Sequence, residues 1–121
     1  MKSILVASIL LALSACTTLR PGPDAFVSAE SAIKAAESAG GDEFAPVEMR
    51  FAREKLASAQ QGMDQQKYEV ALYLIEQSEI NSELAIEKSR AAKSRRRVNE
   101  LTKSNDELEI KLRETFGDEF E

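Results

Sequence analysis

Between Gly62 and Gly117 the chain contains neither glycine nor proline, and this uninterrupted stretch constrains the fold more than any other feature. Glycine and proline punctuate helices because one lacks side-chain restriction and the other lacks a backbone N–H. Their absence predicts one helix that opens at Asp64 or Gln65 and runs to residue 116, about 78 Å at 1.5 Å per residue. In a chain of 121 residues the remaining segments are too short to cover such a rod. The distal half must stand in solvent or pair with another chain.

Two shorter helices precede it. Asp24 is placed as an N-cap, with a carboxylate able to accept orphan N–H groups. Phe26, Ala29, Ile33 and Ala36 then follow at spacings of three and four, one stripe of an amphipathic helix that ends at Gly40-Gly41. Pro46 suits the first position of a second helix, which runs to about Gln61 before Gly62 and carries the stripe Met49, Ala52, Leu56, Ala59 and Met63. On the long helix the matching seam is Tyr68, Ala71, Ile75, Ser78, Ser82, Ala85, Ser89 and Ala92, almost all small. Small seams let helices approach toward the lower end of the 8–10 Å range of interaxial distances. The expected fold is all-α, with two short helices packed on a long third as a helical hairpin or bundle. Residues 24–97 form the helical core, and residues 98–121 form a coiled-coil extension with an acidic tail.

In that extension Val98, Leu101, Asn105, Leu108 and Leu112 fit the a and d positions of a heptad, with Asn105 at a. Glu107 with Lys111 and Glu109 with Arg113 add i,i+4 support in the favourable orientation. A parallel homodimer through these residues is one reading, and a single solvated amphipathic helix is the other. Phe116 and Phe120 stand in the acidic end of the chain.

Composition narrows the chemistry. The chain has no His, no Trp and one Cys, which removes an imidazole base, a disulfide and Cys/His metal sites together. No nucleophile stands beside a base, and there is no phosphate-binding glycine loop and no metal-ligand spacing. Gly40-Gly41-Asp42 reads as a turn, and Glu76, Glu79 and Glu83 as solvated acids. The expectation is no enzyme, with no catalytic residue, metal or cofactor. With 16 basic against 21 acidic residues, a net charge of -5 argues against nucleic acid as a partner. Lys88, Arg90, Lys93, Arg95, Arg96 and Arg97 nevertheless crowd six positive charges together. At 100° per residue they point around all sides of a helix. They read either as a solvated helix leaving the bundle or as a contact with anionic envelope material.

The amino end carries an address. Lys2 supplies a positive charge, residues 4–13 an apolar run of signal-peptide length, and Leu13-Ser14-Ala15-Cys16 closes the segment. Such a run is too short to span a bilayer. The cysteine behind small residues resembles the lipobox of bacterial lipoproteins. The resemblance implies cleavage between Ala15 and Cys16 and a covalent acyl/diacylglycerol lipid on Cys16. The alternative is an exported chain cleaved near Ala15 that keeps a free thiol. Thr17 stands where an Asp is the usual inner-membrane retention signal of lipoproteins, so the resemblance implies the periplasmic face of the outer membrane. Two prolines flanking Gly22 make residues 16–23 the lipidated cysteine and its flexible tether.

An alanine-rich helix over residues 29–39, then Glu43-Phe44-Ala45-Pro46-Val47-Glu48-Met49-Arg50, Ala52-Arg53-Glu54-Lys55-Leu56, Ala59, Gly62, Tyr68, Glu69 and Ala71 resemble the bacterial domain-of-unknown-function 4398 family across residues 29–92. The resemblance implies an exported, lipid-anchored, helical envelope protein and carries over no catalytic residue. Ala52, Leu56 and Ala59 followed by Gly62, Tyr68 and Ala71 also resemble a single tetratricopeptide repeat, although one hairpin without further copies gives no peptide-binding solenoid. The expected function is a non-enzymatic outer-membrane lipoprotein with a periplasmic helical scaffold, its partners an envelope protein or peptidoglycan. The alternative is a small module that captures a peptide or glycan on the Ala/Ser seam.

Overall fold

The computed structural model describes residues 21–117, and they form four α-helices and no strand. Helix α1 is Pro23–Ser38, α2 a single turn at Gly41–Phe44, α3 Pro46–Asp64, and α4 Tyr68–Phe116. The all-α architecture is that of two helices and a short connecting turn packed on one long helix. The residues of the export segment, with Ala15 and Cys16, and Phe120 in the tail lie outside the described residues.

The N-cap of helix α1 lies two residues earlier than its sequence suggests. Gly22 is the N-cap and Pro23 takes the first helical position, where a missing N–H costs nothing. Asp24 therefore lies inside the first turn and favours the positive end of the helix dipole instead of capping it. Ala29, Ile33 and Ala36 are buried as the stripe requires, while Phe26 is half-buried.

What reads as a turn at Gly40-Gly41-Asp42 is Gly40 at φ 89° followed by the short helix α2. Gly41 is needed for close approach: a Cβ there would stand 2.6 Å from Met49 Sδ and 2.9 Å from the Ala36 carbonyl oxygen.

Pro46 opens α3 as expected, but Gly62 does not end it. The helix runs on through Asp64, and the left-handed residue of the reversal is Gln66 at φ 59°. Gly62 serves packing: it is buried, and a Cβ on it would meet Ala71 Cβ at 3.3 Å. The Lys67 N–H donates to the Gly62 carbonyl at 2.8 Å and closes the turn. Helix α4 accordingly begins at Tyr68 and, with 49 residues, is about 73 Å long.

The core is thin and mostly alanine. Ile33, Ala36, Ala45, Met49, Ala52 and Ala85 form one cluster, and Ala29, Ala59 and Ile75 a second. Half-buried Leu56 packs against both. Helix α1 runs alongside α4 and α3 runs against both. Glu48 near the start of α3 meets Lys88, whereas Gly62 near its end meets Ala71. From Lys93 to Gly117 every residue is exposed. Past Arg96 an arm of about 30 Å therefore extends beyond the bundle, as the length mismatch demands.

Candidate interaction surfaces

The Ala/Ser seam of α4 lies where periodicity puts it. Ala71, Ile75, Ser78, Ser82, Ala85 and Ser89 are buried, with Tyr68 and Ala92 half-buried at its ends. Its hydroxyls are satisfied within the fold. Ser78 Oγ donates to the Ala52 carbonyl across the α3–α4 interface at 2.8 Å. Ser82 and Ser89 donate to the carbonyls of Ser78 and Ala85 on their own helix, at 2.9 and 2.7 Å. The seam is filled by α1 and α3, so a peptide or glycan could reach it only by displacing a helix.

The six cations do not behave as one group. Ser89, Ala92 and Arg96 continue the inward stripe at spacings of three and four, which returns Arg96 toward the bundle. Its guanidinium lies 3.5 Å from Glu43 and 5.5 Å from the Phe44 ring centre, a cation–π arrangement. Lys93 donates to the Ala39 carbonyl at the end of α1, at 2.6 Å, and lies 5.7 Å from the same ring. A lysine there satisfies an orphan carbonyl and complements the negative end of the helix dipole. Lys88 pairs with Glu48. Arg90 bonds Glu87 on its own helix at 2.6 Å. Arg95 and Arg97 make no ion pair with the described residues. A helix simply leaving the bundle therefore describes only part of the stretch, because Lys88, Lys93 and Arg96 hold α4 to α1, α2 and α3.

Beside this clamp Arg53 bridges Asp42 at 2.9 Å and Glu37 at 2.7 Å, tying α3 to α2 and α1. Its hydrogen bond to Asp42, followed by that to Glu37, holds the guanidinium above its ordinary value. The same bond lowers the Asp42 carboxyl, and the Lys88 hydrogen bond lowers that of Glu48. Sequence reading misses this network because it joins residues far apart in the chain. The position of Arg96 on the seam was its one legible signal.

The heptad residues Val98, Leu101, Asn105, Leu108 and Leu112 are all exposed on the arm. In the seven-residue frame that places them at a and d, the buried seam residues Ala71, Ser78 and Ala85 occupy b, and Ile75, Ser82 and Ser89 occupy f. At 100° per residue these positions lie on opposite sides of the helix. The two surfaces therefore coexist on α4 without competing.

No described helix is long and apolar enough to cross a membrane. No curated protein and no solved structure matches the chain. A family described as a domain of unknown function, DUF4398, matches residues 24–101, which takes in the bundle, the clamp and the start of the arm. That match covers more than half of the sequence, and the chain belongs to the DUF4398 family.

Proposed function

We propose that this protein is a non-enzymatic, lipid-anchored helical spacer on the periplasmic face of the bacterial outer membrane. The observation that carries the reading is the placement of the two ends of the fold. Pro21, Gly22 and Pro23 line a shallow groove with Phe26, Gln60 and Met63, at the end of the bundle where α3 turns into α4. The arm leaves from the other end, past Lys93 and Arg96. A chain tethered through Cys16, five positions ahead of the docked Pro21, would hold its bundle near the bilayer and extend the arm away from it. Burial of acyl methylenes at about 0.8 kcal/mol each would anchor it without protein contacts, provided Cys16 carries more than one chain.

The arm is then the part that reaches an envelope protein or peptidoglycan. Arg95 and Arg97, outside the clamp, are the groups on its base suited to anionic material of the envelope. The test is metabolic labelling with a palmitate analogue followed by membrane fractionation. The parent chain should carry label and sediment with the outer membrane, and Cys16→Ala should lose both properties. A Cys16→Ala chain that stays on membranes as firmly as the parent would overturn the anchor. Thr17→Asp should move the lipoprotein to the inner membrane, and its persistence in the outer membrane would count against the proposed sorting.

A further inference from the structure

The exposed apolar stripe does not begin at Val98. Carried back through α4, the frame that puts Val98 at a and Leu101 at d also takes in Val70 and Leu84 at a, and Tyr73 and Ile80 at d. These four are among the large hydrophobics that the bundle leaves in solvent, Ile80 at 47% and Leu84 at 44% exposure, although they lie on the part of α4 that packs against α1 and α3. One frame thus accounts for outward apolar residues on both the bundle section and the arm.

We infer that a second copy of this chain docks along the whole outward face of α4, from Val70 to Leu112, as a parallel, in-register two-stranded coil. Continuity is the first reason. The arm alone offers barely three heptads, whereas one frame carries the face over about six, as two apolar blocks on either side of a polar waist from Glu87 to Ser94. Matching of layers is the second. In register, each polar layer, Gln77, Glu87, Ser94 and Asn105, meets its own counterpart, and each large apolar layer meets an apolar one. An antiparallel overlap of the full face would instead set Gln77 against Leu108, Ile80 against Asn105 and Glu87 against Val98. Asn105 facing Asn105 is the a-site pairing that favours two parallel strands.

The flanking charges fit the same arrangement. Glu83 at g would lie beside Lys88 at e of the second copy, a cation that also pairs with Glu48 of its own α3. Glu87 is flanked by Lys88 and by Arg90, which already bonds it at 2.6 Å. The unfavourable contacts, Glu87 with Glu87 at d and Arg90 with Arg95 of the second copy, fall together at the polar waist from Glu87 to Ser94, between the two apolar blocks. A full antiparallel overlap brings Arg90 against Arg97 and Lys88 against Arg95, two such repulsions together, beside one attraction of Glu76 with Lys111. Because the bundle packs on the b and f side, both copies keep their cores outside the coil. The pairing does not rest on the lipid anchor.

Single cysteines on the full-length chain test it, with a short bismaleimide as crosslinker and the parent chain, carrying Cys16 alone, as background. Ile80→Cys and Leu108→Cys should each give a same-position dimer as the main product, and Lys103→Cys, on the f side of the arm, should not. Labelling with a monofunctional maleimide establishes that each thiol is reactive. Crosslinking at Leu108→Cys but not at Ile80→Cys would confine pairing to the arm and overturn the inference. So would a product that forms only when Leu84→Cys and Leu101→Cys chains are mixed, the signature of an antiparallel pair. Adding Ile80→Glu and Leu84→Glu to the Leu108→Cys chain should abolish its dimer while the thermal transition of the bundle remains, since both residues lie outside the core clusters. An undiminished dimer in that chain would also overturn it.

Discussion

Ser78 Oγ donates to the Ala52 carbonyl oxygen at 2.8 Å, a buried polar link between the alanine faces of α3 and α4. The interface is made of side chains too small to interlock deeply, so a directional bond adds to the register that shape alone sets weakly. Ser78→Ala should lower stability by about 0.5–1.5 kcal/mol, the net worth of one intramolecular hydrogen bond. Ser78→Leu should cost more, about 1–3 kcal/mol or above, by forcing the two helices apart. Urea unfolding of the two variants, read as a shift in midpoint at constant slope, checks the order.

Gly41 stands where a Cβ would press on the Ala36 carbonyl and on Met49. The sulfur end of Met49 can move, but the α1 backbone cannot move without disturbing Ala36, which is fully buried. Gly41→Ala should therefore destabilise by about 1–3 kcal/mol, the usual cost of overpacking, despite the better helix propensity of alanine. A thermal midpoint equal to the parent's would show that the α1–α2 corner is looser than its contacts imply.

Leu56 joins the two core clusters yet remains half-buried. Leu56→Ala should cost about 2 kcal/mol, the low end for a leucine truncation, because solvent can fill part of the space vacated. Loss of stability near 5 kcal/mol would mean that the core depends on this one side chain more than its exposure suggests.

The clamp gives stability a dependence on acid. Asp42 and Glu48 have folded-state pKa values below their ordinary 3.8 and 4.5, through hydrogen bonds from Arg53 and Lys88 respectively. A depressed carboxyl contributes stability that is fully present above its unfolded value and is lost as pH falls through the folded value. The thermal midpoint should be level from neutrality to about pH 5 and then decline, with a small amplitude because the Asp42–Arg53 pair is solvated and Lys88 is half exposed. Arg53→Gln with Lys88→Gln should flatten that decline, and calorimetry across the acid range would detect the difference. An unchanged slope would assign the acid loss to other carboxylates.

Asn105→Leu should strengthen association of the α4 coil and loosen control over the number of strands, since an a-site Asn secures the pair at a cost in stability. Sedimentation velocity of the full chain in detergent, with species beyond the dimer as the readout, measures both effects. A variant no tighter than the parent would indicate that Asn105 does not face its counterpart.

The helical class, the long α4, the Ala/Ser seam and the unpartnered arm were legible in the sequence, because each is a matter of local periodicity and length. A run without Gly or Pro sets how far a helix can extend, and spacings of three and four set which side chains share a face, whatever lies beside them. The role of Gly62 was not legible. Whether a glycine ends a helix or admits a neighbour depends on Ala71, which reaches it only after the chain reverses, and the reversal itself falls on Gln66. The division of the six cations was equally hidden. Lys93 finds the Ala39 carbonyl, and Arg96 finds Glu43 and Phe44, across more than fifty positions of chain. The 100° periodicity spreads these charges around α4, but only the docking of α1 and α2 decides which of them meet a carbonyl or a ring and which stay in water.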